Sequence, residues 1–131
     1  MPGFVKPWLA AFDWGFVTEI NRGLCRQKHA LHQPTSDGHL PTKTLWEKNQ
    51  SREMPLTEAL EICLKCHRLA PFCFYNGNTF AAIARDFIAE LPGLPPDKAH
   101  VLRSIAGHIV AGTATEIERE LLDSMLKKLE K

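Results

Sequence analysis

Apolar residues recur at helical spacing through most of the chain, and no stretch bounded by turns alternates with the period of two that a half-buried strand shows. From Asp13 to about His32 the positions Phe16, Val17, Ile20, Leu24 and Leu31 form one helical face. Asp13 can accept from the free N–H groups of the first turn as an N-cap, and Gly23 weakens the helix slightly. Pro34 cannot continue it, so it should stop near Gln33. A second helix starts with Pro55 at its first position, or with Thr57 as cap, and puts Leu56, Leu60, Cys63 and His67 on one face before Pro71 ends it. After the turn Tyr75-Asn-Gly-Asn78, with Asn78 as cap, Phe80, Ile83, Ala84, Phe87, Ile88 and Leu91 make the clearest apolar stripe in the chain. Pro92-Gly-Leu-Pro-Pro96 then opens a fourth helix, with Val101, Leu102, Ile105, Ile109 and Val110 inward and the small residues Ala106, Gly107 and Ala111 permitting close approach. Gly112 closes this helix, and Thr115-Glu-Ile-Glu118 is a capping box for a last one. There Ile117, Leu121, Leu122, Met125 and Leu129 should face inward, and Lys127, Lys128 and Lys131 complement the C-terminal dipole. The expectation is an all-α fold, one compact domain over 1–131 of about five helices, the last three in an antiparallel up-down arrangement.

Two stretches fall outside that pattern. Residues 1–12 carry Phe4, Trp8, Leu9 and Phe12, too apolar for a free tail, and should pack on the core or on a neighbouring chain. Residues 33–55 are polar, with Asp37-Gly38 and several prolines, and read as a long loop pinned by Leu40, Leu45 and Trp46, with at most one short helical turn. A loop of that length inside a compact domain signals function or mobility. Trp8, Leu40, Leu45 and Trp46 are therefore the candidate interaction residues, for a protein partner or for self-association.

Composition narrows the function classes. The chain has 131 residues, enough to bury a core without staples, and sixteen basic residues against fifteen acidic. That balance argues against a nucleic-acid binder driven by a general basic excess, leaving only a local patch of Arg22, Arg26, Lys28, Lys43, Lys48 and Arg52. No run approaches the length of a membrane span, and Trp8 to Phe12 is too brief for a signal-peptide core. The chain is read as cytoplasmic, where its four cysteines should be reduced thiols, metal ligands or redox groups.

The densest chemistry is Cys63-x-x-Cys66-His67 followed by Cys73. On a helix Cys63, Cys66 and His67 point the same way. Cys73 with Cys25 or His29 can complete four ligands for zinc, and the four cysteines together can hold an iron–sulfur cluster. Cys25, His29 and His32 form a second stripe at i, i+4 and i+7, which is also read as part of a solvated basic turn. The string C-x-x-C-H resembles the haem-attachment motif of c-type cytochromes, but that maturation needs export, so haem is set aside. The C-x-x-C with a third cysteine resembles WhiB-type iron–sulfur regulators over about a dozen residues, without the glycine–tryptophan turn of that family, and its function is not carried over. The cofactor-free reading makes Ala59, Cys63, Cys66 and Ala70 a small-residue packing seam.

Catalytic patterns are scarce. Phe74-Tyr-Asn-Gly-Asn78 resembles the turn of the Fic nucleotidyl-transfer fold, but Phe72 and Phe80 stand where that family has its histidine and its basic residue. No phosphate-binding glycine loop, nucleophile elbow or paired-histidine zinc motif occurs. The sequence thus points to a non-enzymatic helical interaction module or complex subunit without a cofactor, with a zinc or iron–sulfur sensor as the alternative.

Overall fold

The computed structural model describes residues 4–130; Lys131 and the first three residues lie outside that range. Within it the chain forms a 3₁₀ turn, Trp8–Ala11, and six helices: α1 Trp14–Gln27, α2 His39–Asn49, α3 Leu56–Leu69, α4 Asn76–Ala89, α5 Pro96–Ala111 and α6 Glu116–Leu129. The all-α expectation holds, with one helix more than the periodicity suggested. The centre is α3 with α4: α3 touches α2, α4, α5 and the 3₁₀ turn, while α4 touches α1, α3 and α5. The predicted α4 stripe from Phe80 to Leu91 is buried throughout. Burying a side chain of the Leu or Phe class contributes roughly 1.5–3 kcal/mol, so this stripe alone anchors the bundle.

The N-terminal segment packs inward. Trp8, Leu9 and Phe12 belong to the core, and Trp8 and Phe12 both contact the Phe87 ring at centroid distances of 5.6 and 5.7 Å. A pair of antiparallel backbone hydrogen bonds between Lys6 and Met54 ties this segment to the start of α3.

The stretch 33–55 is not a long loop. Eleven of its residues form α2, whose buried side carries Thr42, Trp46 and Asn49. Pro41 is tolerated because it sits in the first turn, where the backbone N–H has no intrahelical acceptor. Trp46 donates its indole N–H to the Phe12 carbonyl at 2.7 Å and packs on Phe80, so tertiary contact rather than an apolar stripe fixes this helix.

Helix α1 is shorter than expected. It ends at Gln27, because the chain closes with His29 in the left-handed region at φ 54°. Ala30 N–H donates to the Cys25 carbonyl at 2.8 Å and His29 N–H to that of Arg26 at 3.3 Å, the paired bonds of a Schellman motif. His29 and His32 therefore leave the stripe that would have aligned them with Cys25. Asp13 is the N-cap, accepting from Phe16 N–H at 2.8 Å. Pro55 precedes α3 rather than opening it, and Asn78 lies inside α4 rather than capping it. The turn before α4 is held instead by Asn76, whose side chain accepts from Phe72 N–H at 2.9 Å and donates to Phe72 C=O at 2.7 Å.

Helix α6 carries the expected capping box: Thr115 Oγ1 accepts from Glu118 N–H at 3.1 Å and Glu118 Oε1 accepts from Thr115 N–H at 3.0 Å. The bond from Thr115 N–H, followed by that from His108, holds the Glu118 carboxyl below its ordinary pKa. Thr115→Ala should destabilise the protein by about 1 kcal/mol, read as a lower thermal midpoint. Three side chains expected inward are not: Val101, Ile117 and Leu121 are exposed, Ile117 at 77%. α6 lies against α5 and keeps only Leu122, Met125 and Leu126 buried, so its apolar arc is wider than the surface that covers it.

Candidate functional site: the paired segments beside Asn21

The predicted ligand residues do not converge. Cys63 and Cys66 are fully buried inside α3, and burial pushes the Cys66 thiol up to about 12 and the Cys63 thiol well above its ordinary value. They occupy the small-residue seam with Ala59, while Ala70 ends the helix in the left-handed region at φ 51°. His67 is half-buried and donates from Nδ1 to the Val110 carbonyl of α5 at 2.8 Å. His29 is exposed at its turn, and Cys73 is exposed between α3 and α4. Among the described residues, no three His, Cys, Asp or Glu side chains group as a metal site.

The predicted interaction residues divide. Trp8 and Trp46 are core residues and Leu45 packs partly against the core, so these three do not form a surface. Leu40, at the start of α2, stands out into solvent. Of the six basic residues, Arg22 is paired with Glu19 at 3.0 Å and Arg52 is paired with Glu58, which reduces the local patch.

What the structure does assemble is a polar cluster that periodicity could not reveal. Asn21 of α1 is fully buried and fully partnered. Its Nδ2 donates to the Phe74 carbonyl at 2.8 Å and to Thr79 Oγ1 at 3.0 Å. Those two acceptors fix the amide orientation, so Oδ1 receives the remaining partners: Cys25 Sγ at 3.5 Å and His32 Nδ1 at 2.8 Å. His32 therefore carries its proton on Nδ1 and leaves Nε2 as the acceptor. Burial, followed by the Arg22 charge, lowers the His32 pKa against a weaker opposing pull from Glu19. Burial, followed by the nearby Cys73, raises the Cys25 pKa, so this thiol stays protonated as a donor.

Around this cluster the chain folds back on itself. Pro34 and Phe72 form an antiparallel bridge, with Cys73 N–H donating to Gln33 C=O at 3.0 Å and Thr35 N–H to Pro71 C=O at 2.9 Å. The Phe72 ring stacks on Trp14 at 5.9 Å and meets His32 and His39 at 5.7 and 6.0 Å. The two segments are thus held by a polar cluster at one end and an aromatic one along their length.

Four large apolar side chains on or beside these two segments, together termed the rim, are exposed. Leu31 and Phe74, 57% and 49% exposed, flank the Asn21 cluster; Leu40 and Leu69, 69% and 39% exposed, flank Gly38. The arrangement offers apolar contact on a stiff backbone. Gly38, the one residue of this region that must lack a side chain, was visible in the sequence only as half of a turn signal.

The His32 shift gives the stability of this region a direction with pH. The unfolded chain takes up a proton near the ordinary histidine pKa, about 6.5, while the folded chain resists it. This contribution is therefore complete above about pH 6.5 and is lost as the pH falls toward and past the lowered folded value. Thermal midpoints from about pH 7.5 to 5 should fall more steeply for the wild type than for His32→Gln, and an NMR titration of His32 should locate its pKa below the ordinary range.

No helix among the described residues is long and apolar enough to cross a membrane. Comparison with family models, with curated proteins and with solved structures finds no match to this chain.

Proposed function

We propose that this protein is a non-enzymatic helical interaction module that takes a protein partner on the rim formed by Leu31, Leu40, Leu69 and Phe74. The observation that carries this reading is the exposure of four large apolar side chains on or beside two segments that hydrogen bonds and stacked rings hold in place. Apolar groups kept in water on an ordered backbone favour association, because little conformational entropy remains to be lost on binding. The reading keeps the protein in the cytoplasm, in keeping with four unpaired cysteines.

Cys73 supplies the test, since it is exposed and lies between Phe72 and Phe74. A photo-crosslinker attached there should capture a defined partner from extracts of the source cells. Leu40→Glu combined with Phe74→Glu should abolish that adduct while leaving the helical circular dichroism and melting curve unchanged. An adduct that survives the double variant, or capture of nothing by wild type, would refute the reading.

A further inference from the structure

A second surface has the geometry to pair with itself. α6 turns Leu122, Met125 and Leu126 to the core. On the adjoining face Ile117, Leu121, Ser124 and Lys128 are all exposed, at spacings of four, three and four. That alternation is the a/d spacing of a helix–helix seam, here with no helix among the described residues covering it. Ile117 and Leu121 are the apolar half of the seam. The other half is an open groove of about 420 Å³ lined by Glu120, Asp123, Ser124, Lys127 and Lys128.

Charge along the same face decides the orientation. The ion pairs of α6 run through Glu118 and Arg119, to His108 and Glu61 respectively. Glu120 and Lys127 form no ion pair with any other described residue, and both are exposed beside the seam, seven residues apart. A parallel pairing would leave the Glu120 and Lys127 of the two copies on opposite flanks of the seam, neither with an oppositely charged partner on the second copy. An antiparallel pairing sets each Glu120 against the other copy's Lys127.

We infer that two copies of this chain associate through α6, antiparallel, about a two-fold axis passing between Leu121 and Ser124. In that register Leu121 meets the second copy's Ser124, and Ile117 lies along the aliphatic stem of the second copy's Lys128. The two-fold repeats every contact, so the Glu120–Lys127 pair occurs twice and the interface closes without generating a filament. A fourteen-residue helix is only about 21 Å long, so the buried area falls below the ~1,200 Å² of a standard interface. An interface of that size belongs with transient encounters rather than permanent dimers.

Sedimentation velocity over a concentration series reaching about 1 mM, the weak end of specific association, tests the inference. Wild type should shift from monomer to dimer, and raising the salt should weaken the dimer by screening the exposed charges. Glu120→Lys alone and Lys127→Glu alone each place two like-charge pairs in the interface, and each should weaken the dimer about tenfold. The double variant recreates both pairs with reversed sign and should restore wild-type association. Leu121→Glu should abolish it. All these positions are exposed, so melting curves should match wild type and exclude unfolding as the cause. A monomer throughout the series, or a dimer indifferent to the single charge reversals, would overturn the inference. The inference does not rest on the rim: Leu40→Glu should leave the dimer intact, so the two surfaces fail or stand separately.

Discussion

Gly38→Ala is expected to lower the thermal midpoint by roughly 10 °C, a loss of about 3 kcal/mol for a domain of this size. An added Cβ at Gly38 would stand 2.9 Å from the Ala70 carbonyl carbon and closer still to the carbonyl oxygens of Leu69 and Ala70. These are backbone atoms at the end of α3, so no side-chain rotation can relieve the contact. The surroundings are tied down as well. Thr35 Oγ1 donates to the Ala70 carbonyl at 2.6 Å, and Thr42 Oγ1 donates to the Gly38 carbonyl at 2.6 Å. Relief would require α2 to move away from α3. Gly23→Ala is the matched control: nothing lies within 4 Å of its added Cβ and it sits inside α1, so it should stabilise by about 0.5–1 kcal/mol. Thermal melts of the two variants should thus move in opposite directions. A Gly38→Ala protein melting like wild type would show that α2 does not rest on the end of α3.

Asn21→Leu should lose about 3 kcal/mol for a different reason. Leucine fills much of the same volume but leaves the Phe74 carbonyl and the His32 Nδ1–H without their partners. Unpartnered groups of this kind cost about 1–3 kcal/mol each, more than the original bonds contribute. Asn21→Asp separates hydrogen bonding from packing. It preserves an acceptor for His32 and Cys25 but turns a second oxygen toward the Phe74 carbonyl. The carboxylate would favour the imidazolium form, so the His32 titration should move from below the ordinary range to above it. If both variants keep the wild-type midpoint and His32 titrates unchanged, Asn21 does not organise this region.

What the sequence made legible was what neighbouring residues determine by themselves. The capping box at Thr115 and Glu118, the proline start of α5 at Pro96 and its glycine stop at Gly112 need only a few consecutive positions. The α4 stripe is equally local, since one face is apolar from Phe80 to Leu91. Helix α2 was not legible, because Leu40, Leu45 and Trp46 do not share a face and Pro41 lies among them. Its stability comes from Phe12, Phe80 and the end of α3, which are distant in sequence. The end of α1 was obscured by His29, a residue that seldom occupies the left-handed position usually given to glycine. Ile117 and Leu121 were assigned inward on periodicity alone, which identifies an apolar arc but not how much of it a neighbour covers.

The candidate site was legible in its pieces rather than in its assembly. Cys63 and Cys66 share the helical face expected of them, but whether such a face meets ligands or packing depends on what lies opposite, and here that is the buried interior. Asn21 offered no signal, being a single polar residue beside the apolar positions of α1. Its importance depends on Phe74 and Thr79, more than fifty residues away. Leu40 could be singled out as apolar, yet its role on a rim depends on the turns that Gly38 and His29 allow.

The four thiols, one exposed and three enclosed, also form a built-in gauge of breathing. A thiol reagent reaches Cys73 from the folded protein, whereas Cys25, Cys63 and Cys66 must await an opening of the structure around them. Cys25 sits at the end of α1 beside the rim, while Cys63 and Cys66 lie in the central helix. The order in which they are alkylated therefore ranks the local opening of the rim against opening of the whole bundle, in one time course and without an introduced probe.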